Sequence, residues 1–277
     1  MPRCAAIGTC ACRSSGFRRG RRPVAQLAFR AKQKVVQQPL GERLLRGLFA
    51  GASAPYQSLV SSLSPNPELR PGETSAPALL RHKGMRQFPS PRLTLLDCPA
   101  FLPPDLCAQL MQLIDKDRRP STIADANGDH YFRTSETCDL GAEEPAVQEL
   151  ERRLFALNGI DPAHGEPVQG QRYAVGQEFK AHTDFFEPQG ADFAKYCSVA
   201  GNRTWTFMIY LNDVEAGGAT RFKVVNKVFQ PETGKLVCWD NHRADGSLNP
   251  ATLHHGMKVR KGVKYVITKW YRERPWG

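Results

Sequence analysis

His182 stands two residues before Asp184, with only Thr183 between them. On an extended strand, residues spaced by two leave the same face, so the imidazole and the carboxylate point to one side. A third donor is available from His254 or His255. These are neighbours on what reads as a strand, so they point to opposite faces and only one can join the set. Two imidazole nitrogens and one carboxylate oxygen on one side of an ion leave its other side open. That set suits a non-haem iron(II), whose open positions take dioxygen and a bidentate co-substrate. Lys264 follows ten residues after His254, about one strand further into the same pocket, where an ammonium could meet the outer end of a dicarboxylate. Each feature has a bland counterpart. A histidine and an aspartate two apart occur by chance or as a surface hydrogen-bonded pair, and a strand lysine is usually solvated.

The flanking sequence predicts the elements that must position these groups. Thr204 to Asn212 reads as a strand, Asn212-Asp213 and Gly217-Gly218 as turn residues, and Ala219 to Phe222 as the next strand. Upstream, Leu93 to Leu96 reads as a strand. Pro103-Pro104-Asp105 opens a helix with Leu106, Leu110, Leu113 and Ile114 at helical spacing. Glu143-Glu144-Pro145 opens a second, with Val147, Leu150, Leu154 and Leu157 on one stripe and Asn158-Gly159 ending it. Asp125 to Gly128 is a polar loop, and Tyr131 to Ser135 enters the sheet. From Val168 onward the chain is strand and turn. Helices early and antiparallel strands late predict an α+β fold, a double-stranded jelly roll with the two helices bracing its outside and the site at its mouth. Glu187 to Arg203 is long for a hairpin loop and is a candidate substrate lid.

Several segments together are similar to the 2-oxoglutarate/Fe(II)-dependent dioxygenases of the prolyl 4-hydroxylase type. They are Arg133-Thr134-Ser135, Tyr173 to Asp184, Arg203-x-x-Thr206, Tyr210-Leu211-Asn212-Asp213 and Gly217-Gly218-x-Thr220-x-Phe222. Trp239-x-Asn241, Asp245-Gly246, His254-x-Gly256, Gly262-x-Lys264 and Lys269-Trp270 follow in the family order, covering roughly residues 90 to 275. The resemblance implies Fe(II) held by His182, Asp184 and His254, with His255 off the metal. It places the distal carboxylate of 2-oxoglutarate on Lys264, with Tyr173 and Thr220 beside the co-substrate. Arg133 is either a structural partner or a substrate contact, and Trp239 and Trp270 are core or pocket wall. The reaction implied consumes dioxygen and 2-oxoglutarate, releases succinate and CO2, and hydroxylates an unactivated C–H bond; ascorbate enters as an accessory reductant. The carboxylate of Asp184 argues against a halogenase, in which a halide takes that place.

The substrate implied is a prolyl residue in a peptide or protein, hydroxylated at carbon 4. Lys223, Lys258 and Tyr265 depart from the usual pattern beside the site, where proline, proline and tryptophan are common. They leave open a hydroxylase of a free amino acid or other small molecule, or a nucleic-acid demethylase of the same superfamily. A non-catalytic jelly-roll binding module is disfavoured, because all the ligands and the lysine occur together.

Composition bounds the rest. The 277 residues, 41% of them hydrophobic, suffice for a sizeable core. Nine basic side chains fall in residues 1–41, before the first acid at Glu42, so most of the formal net charge of +11 belongs to that tail. Residues 1–84, rich in arginine and proline, are expected to be a disordered extension, with one short amphipathic helix at Leu44 to Phe49; residues 85–277 are expected to form the dioxygenase domain. The tail reads as a neutral disordered arm, a weak nucleic-acid contact, an organellar transit segment or an upstream translation artefact. Otherwise the expected location is cytoplasmic. The eight cysteines form no CxxC pair, which disfavours zinc and suits reduced core thiols. No apolar run is long enough for a membrane span. Oligomeric state is left open.

Overall fold

The computed structural model describes residues 69–121 and 132–276, so the expectations for residues 1–68, for Asp125 to Gly128 and for Tyr131 lie outside the described residues. The strands are β1 (Arg86–Gln87), β2 (Leu95–Cys98), β3 (Arg119–Pro120), β4 (Glu136–Asp139), β5 (Gln169–Tyr173), β6 (Phe179–His182) and β7 (Arg203–Tyr210). They continue as β8 (Ala216–Gly217), β9 (Thr220–Phe222), β10 (Lys227–Phe229), β11 (Leu236–Asp240), β12 (His254–Gly256), β13 (Val259–Lys261) and β14 (Lys264–Arg272). A large sheet runs β1-β2-β11-β7-β14-β5-β4-β3 and a smaller one β10-β9-β12-β6. Their strand pairs are antiparallel. This is the expected α+β class with a jelly-roll core.

The run Thr204 to Leu211 is apolar nearly throughout because β7 is buried on both faces. Trp205, Phe207 and Ile209 join the cluster that packs the large sheet against the helices. Met208 and Tyr210 belong to the cluster shared with Phe222 and Phe229 of the small sheet. One face therefore meets the bracing helices and the other, with Thr206 between its apolar neighbours, faces the inside of the roll.

The bracing helices are α2 (Pro104–Lys116) and α3 (Pro145–Asn158); α1 (Ala76–Leu79) precedes them and α4 (Phe193–Cys197) follows. Leu106, Leu110 and Ile114 of α2 and Val147, Leu150, Leu154 and Leu157 of α3 are buried in the first cluster, as their spacing predicts. Gly159, at φ 64°, ends α3 in the left-handed conformation that a side chain would strain. Cys98, Cys107, Cys138, Cys197 and Cys238 are free and buried; burial pushes the Cys107 thiol up to about 11. Among the described residues, no helix is long and apolar enough to cross a membrane.

The structure adds detail to the sequence reading at three places. The strand expected over Leu93 to Leu96 begins two residues later, because the ladder to β11 pairs Leu95 with Trp239 and Cys98 with Leu236. Glu187 to Arg203 is a pinned loop containing α4: Arg274 donates from Nε to the Val199 carbonyl (2.8 Å) and from Nη2 to that of Cys197 (3.1 Å). The packed fold also reaches back past Met85. Leu79 is fully buried in the first cluster, and the Thr204 hydroxyl donates to the Gly72 carbonyl.

Deleting a fully buried leucine side chain costs about 2–5 kcal/mol. Leu79→Ala is therefore expected to lower the unfolding free energy by about that amount. A chain starting at Met85 should melt well below one starting at Leu69, as read by thermal denaturation. Equal melting temperatures for the two chains would mean that residues 69–84 contribute nothing to the fold.

Candidate active site

Strands β6 and β12 are far apart in sequence but adjacent in the small sheet, and their register sets His182 directly opposite His254. Directly opposed side chains in an antiparallel pair are within contact reach, and the two rings lie 4.3 Å apart between centroids. Asp184, just past the end of β6, turns its Oδ1 to both, 3.6 Å from His182 Nε2 and 3.9 Å from His254 Nε2. One donor atom from each of the three lies within 4.8 Å of the others.

Backbone carbonyls fix the tautomers. His182 Nδ1 donates to the Lys180 carbonyl at 2.7 Å and His254 Nδ1 to the Thr252 carbonyl at 2.9 Å. Both Nε2 lone pairs are then free for a metal, the usual arrangement for an imidazole ligand. Burial, reinforced by the facing His254, pulls the pKa of His182 down to about 3, so the ring is neutral at physiological pH. For Asp184, burial pushes the pKa up, but the facing imidazoles, Arg203 and the Thr206 hydroxyl outweigh it and hold the carboxyl below its ordinary range. Two imidazoles and one carboxylate are the donor set that suits iron(II). His255 points away from the cluster, as strand alternation requires, and its Nε2 lies 3.0 Å from Glu178 Oε2.

The cluster opens onto a cavity lined also by Arg133, Tyr173, Thr220, Trp239, Lys264 and Trp270. Lys264 opens β14, where the ladder pairs it with Tyr173 of β5. Its Nζ lies 4.6 Å from the Tyr173 ring centroid and 5.7 Å from that of Tyr210. Gly218, at φ 71°, brings the β8–β9 turn so close to Lys264 that an added Cβ would sit 3.2 Å from its Cδ. Lys264 is 2% exposed, and among the described residues no carboxylate lies within ion-pair distance of it. Burial alone pulls its pKa down to about 7.

The other cations near the late strands are engaged elsewhere. Lys269 pairs with Glu151, Arg172 with Glu136 at 2.8 Å, and Arg221 donates to Asn226 at 2.9 Å. Arg133 differs: among the described residues its guanidinium donates to neutral acceptors, including Ser135 and Thr137 at 3.1 Å and Gln169 at 3.2 Å, and stacks over Phe179. Thr220 accepts from the Tyr210 hydroxyl at 2.7 Å and forms part of the cavity wall. Arg203 is bound to Glu166 through two contacts of 2.6 and 2.8 Å and lies 3.9 Å from the Trp270 ring centroid.

Every site residue expected from sequence therefore lines one cavity. Sequence reading missed Phe179, whose ring stacks on His182 at 3.5 Å between centroids, and the buried pair Thr206 and Asn241 behind Asp184. Thr206 and Asn241 stood inside motifs of the resemblance without a role. Their burial beside a carboxylate shows only once β7 and β11 are placed side by side.

Residues 168–272 match the model of the 2OG-Fe(II) oxygenase superfamily. The human prolyl 4-hydroxylase subunit alpha-1 is 36% identical over 145 residues, 52% of this chain and 27% of that subunit. A probable prolyl 4-hydroxylase 10 of Arabidopsis thaliana is 28% identical over 196 residues, 62% of this chain and 66% of that protein. The aligned part thus spans only about a quarter of the alpha-1 subunit's length. Among solved structures, a viral collagen prolyl hydroxylase from Paramecium bursaria Chlorella virus-1, as a 2OG complex, superposes with a TM-score of 0.49 at 24% identity. It covers 64% of this chain and 95% of that one. The residues that match the 2OG-Fe(II) oxygenase superfamily model, 168–272, are the segment that builds the site.

Proposed function

We propose that the protein is a 2-oxoglutarate-dependent dioxygenase that hydroxylates a prolyl residue at carbon 4 in a peptide or protein. The observation that carries this reading is the pairing, in one cavity, of the three-donor cluster with a buried lysine that meets no carboxylate among the described residues. An ammonium in such a place is costly unless an anion joins it. The distal carboxylate of 2-oxoglutarate is such an anion. Iron(II), bound with 2-oxoglutarate and dioxygen, supplies the oxidising power that inserts oxygen into a C–H bond while the co-substrate is decarboxylated to succinate.

The protein's own groups then have distinct work. His182, Asp184 and His254 hold the metal from one side. Lys264 anchors the co-substrate by a charge-assisted hydrogen bond, and Tyr173 and Thr220 shape the wall around it. Phe179, Trp239 and Trp270 supply aromatic wall to the same cavity. Arg133 offers guanidinium donors into the same space, suited to the carbonyl oxygens of an extended peptide. A peptide substrate is further supported by the names of the relatives, which are prolyl hydroxylases.

The test is succinate release, followed with proline-rich peptides, free amino acids and methylated nucleic acid in parallel, with mass detection of product. Gain of one oxygen on a proline-rich peptide is expected. Oxidation of a free amino acid, or demethylation of nucleic acid, with peptides untouched would replace the prolyl reading.

A further inference from the structure

The two oxygens of Asp184 are treated differently by the fold. Oδ1 is the one turned to both histidines, 3.6 and 3.9 Å from their Nε2 atoms. Oδ2 accepts a hydrogen bond from the Thr206 hydroxyl at 2.8 Å. The Thr206 oxygen in turn accepts from Asn241 Nδ2 at 3.0 Å. Thr206 and Asn241 are both fully buried, and the β7–β11 ladder passes directly beside them.

The direction of this chain is forced. An ionised carboxylate only accepts, so the single hydroxyl proton of Thr206 must point at Asp184. Its oxygen can then only accept from the asparagine, which must present its NH2 and not its carbonyl. Asn241 is held for this, since its backbone N–H donates to the Thr204 carbonyl at 2.8 Å and its carbonyl accepts from Asn249 at 2.9 Å. A second tie holds the backbone of the aspartate: Arg203 Nη1 donates to the Asp184 carbonyl at 3.2 Å.

We infer that Thr206 and Asn241 are positioning residues that engage Oδ2 of Asp184, so that the carboxylate offers the metal Oδ1 alone and leaves the facing side for co-substrate and dioxygen. The inference rests on the metal-site reading above. Without the threonine hydroxyl, both carboxylate oxygens could turn to the ion and take one of the positions that the reaction needs.

Cobalt(II) alone, added anaerobically to the full chain, is the probe, because its ligand-field absorption reports coordination number without turnover. Thr206→Val keeps the shape and removes the donor. It is expected to weaken cobalt binding by roughly 10- to 100-fold, the range for partners behind a metal ligand, and to alter the ligand-field spectrum. Thr206→Ser, which restores the hydroxyl, should recover both. Asn241→Ala leaves the threonine in place and should weaken binding several-fold, so the chain can be tested even if the valine variant does not fold. Wild-type affinity and spectrum in Thr206→Val, or in Asn241→Ala where valine fails to fold, would overturn the inference. Wild type that binds no cobalt, or His182→Ala that binds it equally well, would overturn the metal site itself and the inference with it.

Discussion

His254→Ala is expected to abolish metal-dependent turnover and stoichiometric metal binding, whereas His255→Ala should keep most of both. The two residues are neighbours on β12, yet their environments are opposite. His254 is buried against His182, with its Nδ1 tied to a backbone carbonyl and its Nε2 turned toward Asp184. His255 is half-buried on the other face and meets Glu178 at 3.0 Å. Losing a direct ligand should exceed the roughly 10–100-fold typical of groups behind a ligand. Losing this half-buried side-chain contact should cost no more than about 1 kcal/mol of stability. Metal content after anaerobic loading and desalting, measured on both variants, checks this. Reversed behaviour of the two variants would mean that the register of β12 is off by one residue.

Lys264→Ala should lose 2-oxoglutarate affinity while keeping the metal. A charge-assisted hydrogen bond contributes about 1.5–3 kcal/mol, or roughly 10- to 150-fold in affinity. The three donors of the cluster do not include the lysine, so metal loading should be unchanged. The pH dependence gives an independent check. Burial lowers the Lys264 pKa to about 7 in the free protein. An anion binds the charged form, so binding above that pH must be accompanied by proton uptake. Wild-type affinity for 2-oxoglutarate should therefore fall as pH rises above about 7, by up to tenfold per unit, and that fall should be absent in Lys264→Ala. The same shift has a sign for stability. The folded state holds fewer protons than the unfolded state between the lowered pKa and the ordinary lysine value, so this group's contribution to stability rises with pH across that window. Equal affinities of variant and wild type would move the anchor to another cation. Among the described residues Arg133 is the candidate, since it too lines the cavity, while Lys269, Arg172 and Arg221 are engaged elsewhere.

Much of this site is legible in the sequence because strand alternation is a strict rule. A spacing of two places His182 and Asp184 on one side, and adjacency separates His254 from His255. The helix stripes of α2 and α3 are readable for the same reason, with a period of about 3.6. Long-range register is not readable in this way. That His182 faces His254, and Lys264 faces Tyr173, depends on which strands become neighbours, and the order β10-β9-β12-β6 is far from sequence order. The roles of Thr206 and Asn241 were hidden likewise, since a buried threonine and asparagine acquire meaning only from the carboxylate placed against them. The start of the packed fold was obscured by proline. Residues 69–84 lack apolar periodicity, yet one leucine, Leu79, fills a place in the core.

The most direct test of the central claim couples two products in one tube. The full chain, loaded with Fe(II) and supplied with 2-oxoglutarate, dioxygen and a proline-rich peptide, is sampled for succinate and for hydroxylated peptide over time. Both are expected to appear together in near-equal amounts, with the added oxygen on carbon 4 of a prolyl residue, and His254→Ala should yield neither. Succinate absent with every substrate class, from protein shown to be folded and metal-loaded, would contradict the claim.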